Sequence, residues 1–146
     1  MLLQLFVALS MVTFTLVTHL AGLGGLLALM SDQGRRSPVA KEQLAGAALI
    51  LLILHALFFL HIFAVFAYAV LYMAVGAIPE FQDAFRFSGG TYATVGSDLS
   101  VAPAWRLVPA IEAANGSFLL GLSTAFFVSV IGRMRLIADD WLRDRG

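Results

Sequence analysis

Thr91-Tyr92-Ala93-Thr94-Val95-Gly96-Ser97-Asp98 is a polar, glycine-containing stretch set between two long apolar runs. In lipid, irregular backbone is tolerated only where protein buries it or where it lines a water-filled path. A ring of backbone carbonyls that replaces an ion's hydration shell requires a segment of this kind. Gly96 can adopt angles closed to other residues, which lets successive carbonyls turn the same way. Thr94 adds a hydroxyl and a carbonyl at the inner end. A plain turn between helices is the competing reading, because Thr, Gly, Ser and Asp are common loop residues. The flanking sequence decides between the two.

Of the 146 residues 60% are hydrophobic, none is Cys, and nine basic side chains balance nine acidic ones. An ordinary soluble domain is roughly half apolar, so the composition points to a membrane protein of one domain. Disulfides and a thiol nucleophile are excluded, and there is no basic excess to suggest nucleic acid. A helix needs about 20 apolar residues to cross a bilayer core. Three stretches qualify: Met1 to Met30, without a charge; Gln43 to Ala77; and Leu107 to Arg133, interrupted by Glu112. The first lacks the basic start of a signal peptide and is about twice the length of its apolar region, so it is expected to be a retained helix. Phe81 to Val101 is too polar and too short to cross.

Basic residues set the expected orientation. Arg35, Arg36 and Lys41 lie between the first two spans, and Arg133, Arg135, Arg143 and Arg145 follow the third. Between spans two and three, Arg86 and Arg106 stand against Glu80, Asp83 and Asp98. The positive-inside rule then puts the N-terminus outside, and the first loop and C-terminus in the cytoplasm. The Thr-Val-Gly stretch falls on the outer side. No span carries the repeated Arg of a voltage sensor, no internal repeat suggests a transporter, and no P-loop, metal-spaced set or nucleophile elbow occurs. A non-enzymatic role follows.

Pro79-Glu80-Phe81-Gln82-Asp83 reads as a helix start, with acidic residues near the positive end of the dipole. Ala84-Phe85-Arg86-Phe87-Ser88 continues it toward Tyr92. The negative end of this short helix is predicted to point into the membrane, which favours cations. With Thr91, Thr94, Val95, Gly96 and Asp98, these residues resemble the pore helix and filter of the potassium-channel superfamily, whose usual signature reads T-x-x-T-V-G-Y-G-D. Trp105-Arg106-Leu107, Glu112 with Gly116, and Leu122 to Ser129 look like the inner helix of the bacterial two-helix pore type. The resemblance runs from Pro79 to Gly132, and small bacterial members with an extra N-terminal helix look similar.

The resemblance implies an all-α membrane protein of three transmembrane helices plus a re-entrant pore helix and filter loop. Its parts would be an N-terminal helix (1–30), a cytoplasmic loop (31–42), a pore module (43–132) and a cytoplasmic tail (133–146). Within the module fall the outer helix (43–77), pore helix and filter (80–98) and inner helix (105–132). One filter strand cannot enclose an ion, so a homotetramer in the bacterial inner membrane is implied. Thr94, Val95, Gly96, Ser97 and Asp98 would form the filter, with Thr91 and Glu112 in support and Gly116 as a hinge that opens the inner helix.

Here the Tyr-Gly pair of the signature is replaced by a single Ser. Aligned on Thr94-Val95-Gly96, Ser97 falls on the Tyr position; Asp98 falls on the second Gly or, after a deletion, on the Asp. Either way the outer filter differs, and passive flow of potassium and sodium with weak selectivity is expected, with no cofactor beyond the permeant ion. A ring of Asp98 carboxylates would concentrate cations at the mouth. Gating is not encoded in any visible domain, so lipid, pH, tension or a regulator protein is left as the controlling input.

Other residues allow a different class. His19 lies 11 residues before Met30 and His55 12 residues after Gln43, so both fall roughly 16–18 Å from the inner boundary at 1.5 Å per residue. They could meet, hydrogen-bonded to each other or to Ser, Thr and backbone, or bridge a haem in a redox subunit. His61 is read as incidental. A channel-like assembly protein that does not conduct is the third reading. Met134, Ile137 and Trp141 recur on one face of the tail, the pattern of an interfacial helix.

Overall fold

The computed structural model describes residues 1–33 and 42–143, and the side chains of 1–30 and 46–133. Among the described residues it is all-helical: α1 (Leu2–Gln33), α2 (Glu42–Ala74), a short α3 (Phe81–Tyr92) and α4 (Leu107–Arg143), with a single 3-10 turn at Pro103–Trp105 before α4. Three helices are long and apolar enough to cross a membrane, over Leu2–Met30, Gly46–Ala74 and Leu107–Arg133. The basic cluster Arg35, Arg36 and Lys41 lies outside the described residues. So do the side chains of Met134, Ile137 and Trp141, although the backbone there continues α4 to Arg143.

Helix boundaries differ from the sequence expectation: α1 runs to Gln33 and α4 to Arg143, and two further differences have local causes. Helix α2 stops at Ala74 rather than Ala77, because Gly76 takes a left-handed φ of 67°. The Tyr72 carbonyl then accepts from the N–H groups of both Ala77 (2.8 Å) and Ile78 (3.2 Å), which satisfies carbonyls that a helix end leaves open. At the other boundary the last helix begins at Leu107, since Pro103 supports only the 3-10 turn. The Gln4 side-chain oxygen accepts from the Leu107 N–H at 3.2 Å, occupying one of the orphan donors of the first turn.

Side-chain pairs fix how the helices run. Leu107 with Gln4, Asn115 with Thr15, and His19 with Ser123 are separated by 103, 100 and 104 positions. A near-constant offset means that α1 and α4 are parallel and in register. Ser88 meets Glu112 at an offset of 24, and Tyr92 meets Gly116 four positions further along both helices, so α3 is parallel to α4 as well. By contrast, α2 is antiparallel to all three. It meets α4 through Tyr72–Glu112 and Tyr68–Asn115 and α3 through Val65–Ser88 and His61–Tyr92. Thus α3 starts where α2 ends and descends beside α4. Gly116 is nine positions after Leu107, which puts the end of α3 about 14 Å along α4 at 1.5 Å per residue. The chain returns through 93–106 to the level where α4 begins.

Apolar packing divides into three clusters. Tyr68, Tyr72, Ala84, Phe87 and Val108 lock the upper part of α3 between α2 and α4. Ala64, Val65, Tyr92 and Leu119 surround its lower end, and Leu23, Leu26, Ile53, Leu57 and Val130 join the far ends of the long helices. Helix association in lipid relies on such close packing and on interhelical hydrogen bonds rather than on expulsion of water.

Candidate ion-coordinating site

The segment after α3 folds back on the helix that precedes it. The Ala93 N–H donates to the Gly89 carbonyl at 3.1 Å, and the Thr94 N–H to Thr91 at 3.0 Å. The Val95 and Gly96 N–H groups both donate to the Gly90 carbonyl, at 2.9 and 3.0 Å. Thr94 has φ 58° and Gly96 φ 88°, whereas Val95 between them is not in the positive-φ region. Alternating handedness aims successive N–H groups at one point. In a trans peptide the C=O points opposite to the N–H, and no cis bond occurs among the described residues. The carbonyls of Thr94 and Val95 therefore point together, away from α3. The residues from Ala93 to Asp98 are exposed, Val95 to 84%.

Such a backbone needs particular side chains. A β-branched Thr at left-handed φ is strained by about 1–3 kcal/mol, so Thr94 holds this conformation only because the return is tied down. Gly90 permits it: a Cβ there would collide with the Gly96 carbonyl, which lies directly over it. That carbonyl consequently does not join the outward pair. Gly116 plays the matching part on α4, where a Cβ would run into the Tyr92 carbonyl. Its observed role is close packing against the end of α3, within a helix that continues unbroken on both sides.

Charged side chains gather beside the segment. Arg86 lies 3.6 Å from Asp98 and 3.8 Å from Asp83, all three well exposed. Exposed pairs of this kind contribute only about 0–1 kcal/mol each, but one guanidinium between two carboxylates leaves the cluster negative. The Ser97 hydroxyl accepts from the Leu99 N–H at 3.2 Å, turning the chain away after the segment.

Behind the segment, Glu112 is fully buried. Tyr72 donates to its Oε2 at 2.5 Å, and Ser88 lies 2.5 Å from its Oε1 and 3.0 Å from the Val65 carbonyl. Asn115 donates to Thr15 at 2.8 Å and to Tyr68 at 3.3 Å, tying α1 into the same interior. Thr91 contributes its carbonyl, which accepts from the Thr94 N–H, and Glu112 meets α3 at Ser88. The Ser88, Tyr72 and Gly90 contributions were not singled out as supports. Ser88 carried a signal, a hydroxyl on the α3 face whose other members, Ala84, Phe87 and Tyr92, are apolar or aromatic and buried.

The histidines arrange otherwise than expected. His55 is exposed, and its Nδ1 lies 2.7 Å from the Leu51 carbonyl of its own helix. His19 instead faces His61, ring centroids 5.0 Å apart; the two positions on α2 differ by six residues, about 9 Å along the helix. His19 Nε2 meets the Ser123 hydroxyl and His61 Nδ1 the Tyr92 hydroxyl, both at 2.8 Å. The His19–His55 pair that would bridge a haem is not formed. His61, read as incidental, anchors the last residue of α3. Counting from the loop placed His19 and His55 at one depth, but α1 and α2 pair in a different register, with His19 level with His61 and Gly22 against Leu60.

No family model matches the chain, and no curated protein or solved structure matches it either.

Proposed function

We propose that the chain is the pore-forming subunit of a homotetrameric channel that passes monovalent cations, potassium and sodium, with weak selectivity. The observation that carries this reading is the pair of Thr94 and Val95 carbonyls turned outward together at the end of a helix that descends partway along α4. Four such pairs around an axis would take the place of an ion's hydration shell. The negative end of α3 and the net negative rim of Asp83, Arg86 and Asp98 both favour cations over anions.

The outward face of α4 supports assembly around an axis. Its exposed residues Ala110, Ala114, Ser117, Gly121 and Thr124 recur every three or four positions, with the exposed Phe118 and Leu120 at the sides of that stripe and Val128 continuing it. On α2 the exposed face is Leu51, Leu52, Leu54, Phe58, Phe59 and Phe63, which suits lipid tails. Small and hydroxyl-bearing residues suit close helix contact or a wet path. Weak selectivity follows from the sequence beyond Gly96: Ser97 and Asp98 supply neither the Tyr nor the second Gly of the full signature, so fewer carbonyl layers discriminate between ions. The reading places the N-terminus outside and the C-terminus in the cytoplasm of the plasma membrane.

Purified protein in liposomes tests the site. Asp98→Asn should lower the cation flux and change its preference among ions, more so at low salt, where surface charge is least screened. Flux and preference that ignore the substitution would remove Asp98 from the mouth. The haem-binding alternative has lost its ligand pair.

A further inference from the structure

Three interior contacts of Glu112 and Ser88 share a fixed number of hydrogens. Ser88 Oγ lies 2.5 Å from Glu112 Oε1 and 3.0 Å from the Val65 carbonyl, and Tyr72 Oη lies 2.5 Å from Glu112 Oε2. A serine hydroxyl has one hydrogen to give, a carbonyl can only accept, and an ionised carboxylate can only accept. With Glu112 ionised, Ser88 can serve the carboxylate or Val65 but not both, and two acceptor oxygens are left face to face. With a hydrogen on Oε1 the count closes. Glu112 donates to Ser88, Ser88 donates to Val65, and Tyr72 donates to Oε2. Short O–H···O contacts alone fit either state, because an ionised oxygen also draws donors in; the hydrogen count decides.

The surroundings agree. The polar groups around Glu112 are Tyr72 and Tyr68 from α2, Ser88 and Tyr92 from α3, and Asn115 from its own helix, with Thr15 of α1 behind Asn115. None of these is a cation, and the one arginine of α3, Arg86, is exposed and engaged with Asp83 and Asp98. A buried carboxylate without a cation is strongly disfavoured, whereas a hydrogen-bonded neutral acid is not.

We propose that Glu112 is a positioning residue that acts as a neutral carboxylic acid, donating the hydrogen that fixes α3 to α2 and α4. Through Ser88 it sets the height of Gly90, two positions on, whose carbonyl gathers the Val95 and Gly96 N–H groups. The link to conduction rests on the pore reading, but the protonation state does not. Two measurements keep them apart.

The first is infrared difference spectroscopy of wild type against Glu112→Gln at neutral pH. A protonated-carboxyl C=O stretch present in wild type and lost in the variant is expected; loss of a carboxylate pair of bands instead would overturn the proposal. The second is cation flux. Gln keeps one acceptor and one neutral donor, so flux should stay within about twofold of wild type, while Glu112→Leu, which strands Ser88 and Tyr72, should lose about tenfold or more. If Glu112→Gln lost as much as Glu112→Leu, a charged carboxylate would be required and the neutral acid would be wrong. If wild type itself passed no ions, the pore reading would fail and the infrared result would still decide the proton.

Discussion

Thr94 holds the least expected backbone conformation of the segment that follows α3. A turn needing φ 58° would ordinarily use Gly or Asn, and a β-branched residue is held there only by what surrounds it. Thr94→Gly should therefore leave the thermal unfolding midpoint in detergent unchanged or raised. Thr94→Pro, fixed near φ of about −65° and unable to donate to Thr91, should lower it. The two close backbone approaches give a second residue-scale test. Gly116→Ala forces a methyl into the Tyr92 carbonyl and should destabilise by about 1–3 kcal/mol. Gly24→Ala, where nothing lies within 4 Å, should be neutral or stabilising by up to about 1 kcal/mol. Equal midpoints for the two variants would mean that α3 does not reach α4 as described.

At the scale of elements, α3 is a short helix held by hydroxyls and one acid. Its hydrogen bonds to α2 and α4 converge on Ser88 and Glu112, and Tyr92 is anchored by His61. Ser88→Ala and Tyr72→Phe should each cost about 1–3 kcal/mol, by leaving one of the two Glu112 oxygens without a partner. Because they share that partner, the double variant should cost measurably less or more than the sum; strict additivity in thermal unfolding would show that the cluster is not one unit. The sequence disclosed these elements well. Hydropathy and length gave the three long helices, and Pro79 with its acidic neighbours gave α3, because both signals are local. It disclosed the interior poorly. Which of His55 or His61 meets His19 depends on how far α1 and α2 slide past each other as well as on which face of α2 turns inward, and in helices apolar all round no pattern marks either. The use of Gly90, contact with Gly96 across a turn, is visible only when the chain has folded back.

For the whole molecule, the pore reading sets its water path along the α4 stripe of Ala110, Ala114, Ser117, Gly121 and Thr124, which Phe118 and Leu120 flank and Val128 continues, while the exposed face of α2 is aliphatic and aromatic throughout. The chain has no Cys, so single cysteines can be introduced cleanly. A charged thiol reagent should modify Thr124→Cys and block flux, and should leave Phe59→Cys, on the lipid-type face, unmodified. The reverse pattern would turn the assembly inside out. The central claim, that the outward carbonyls of Thr94 and Val95 belong to a weakly selective cation pore, is tested most directly by bi-ionic recording of purified protein in planar bilayers, with potassium on one side and sodium on the other. The account predicts a cation current whose reversal potential lies well short of the potassium limit. A reversal potential at that limit, or bilayers that stay tight to potassium, sodium and calcium alike, would contradict it.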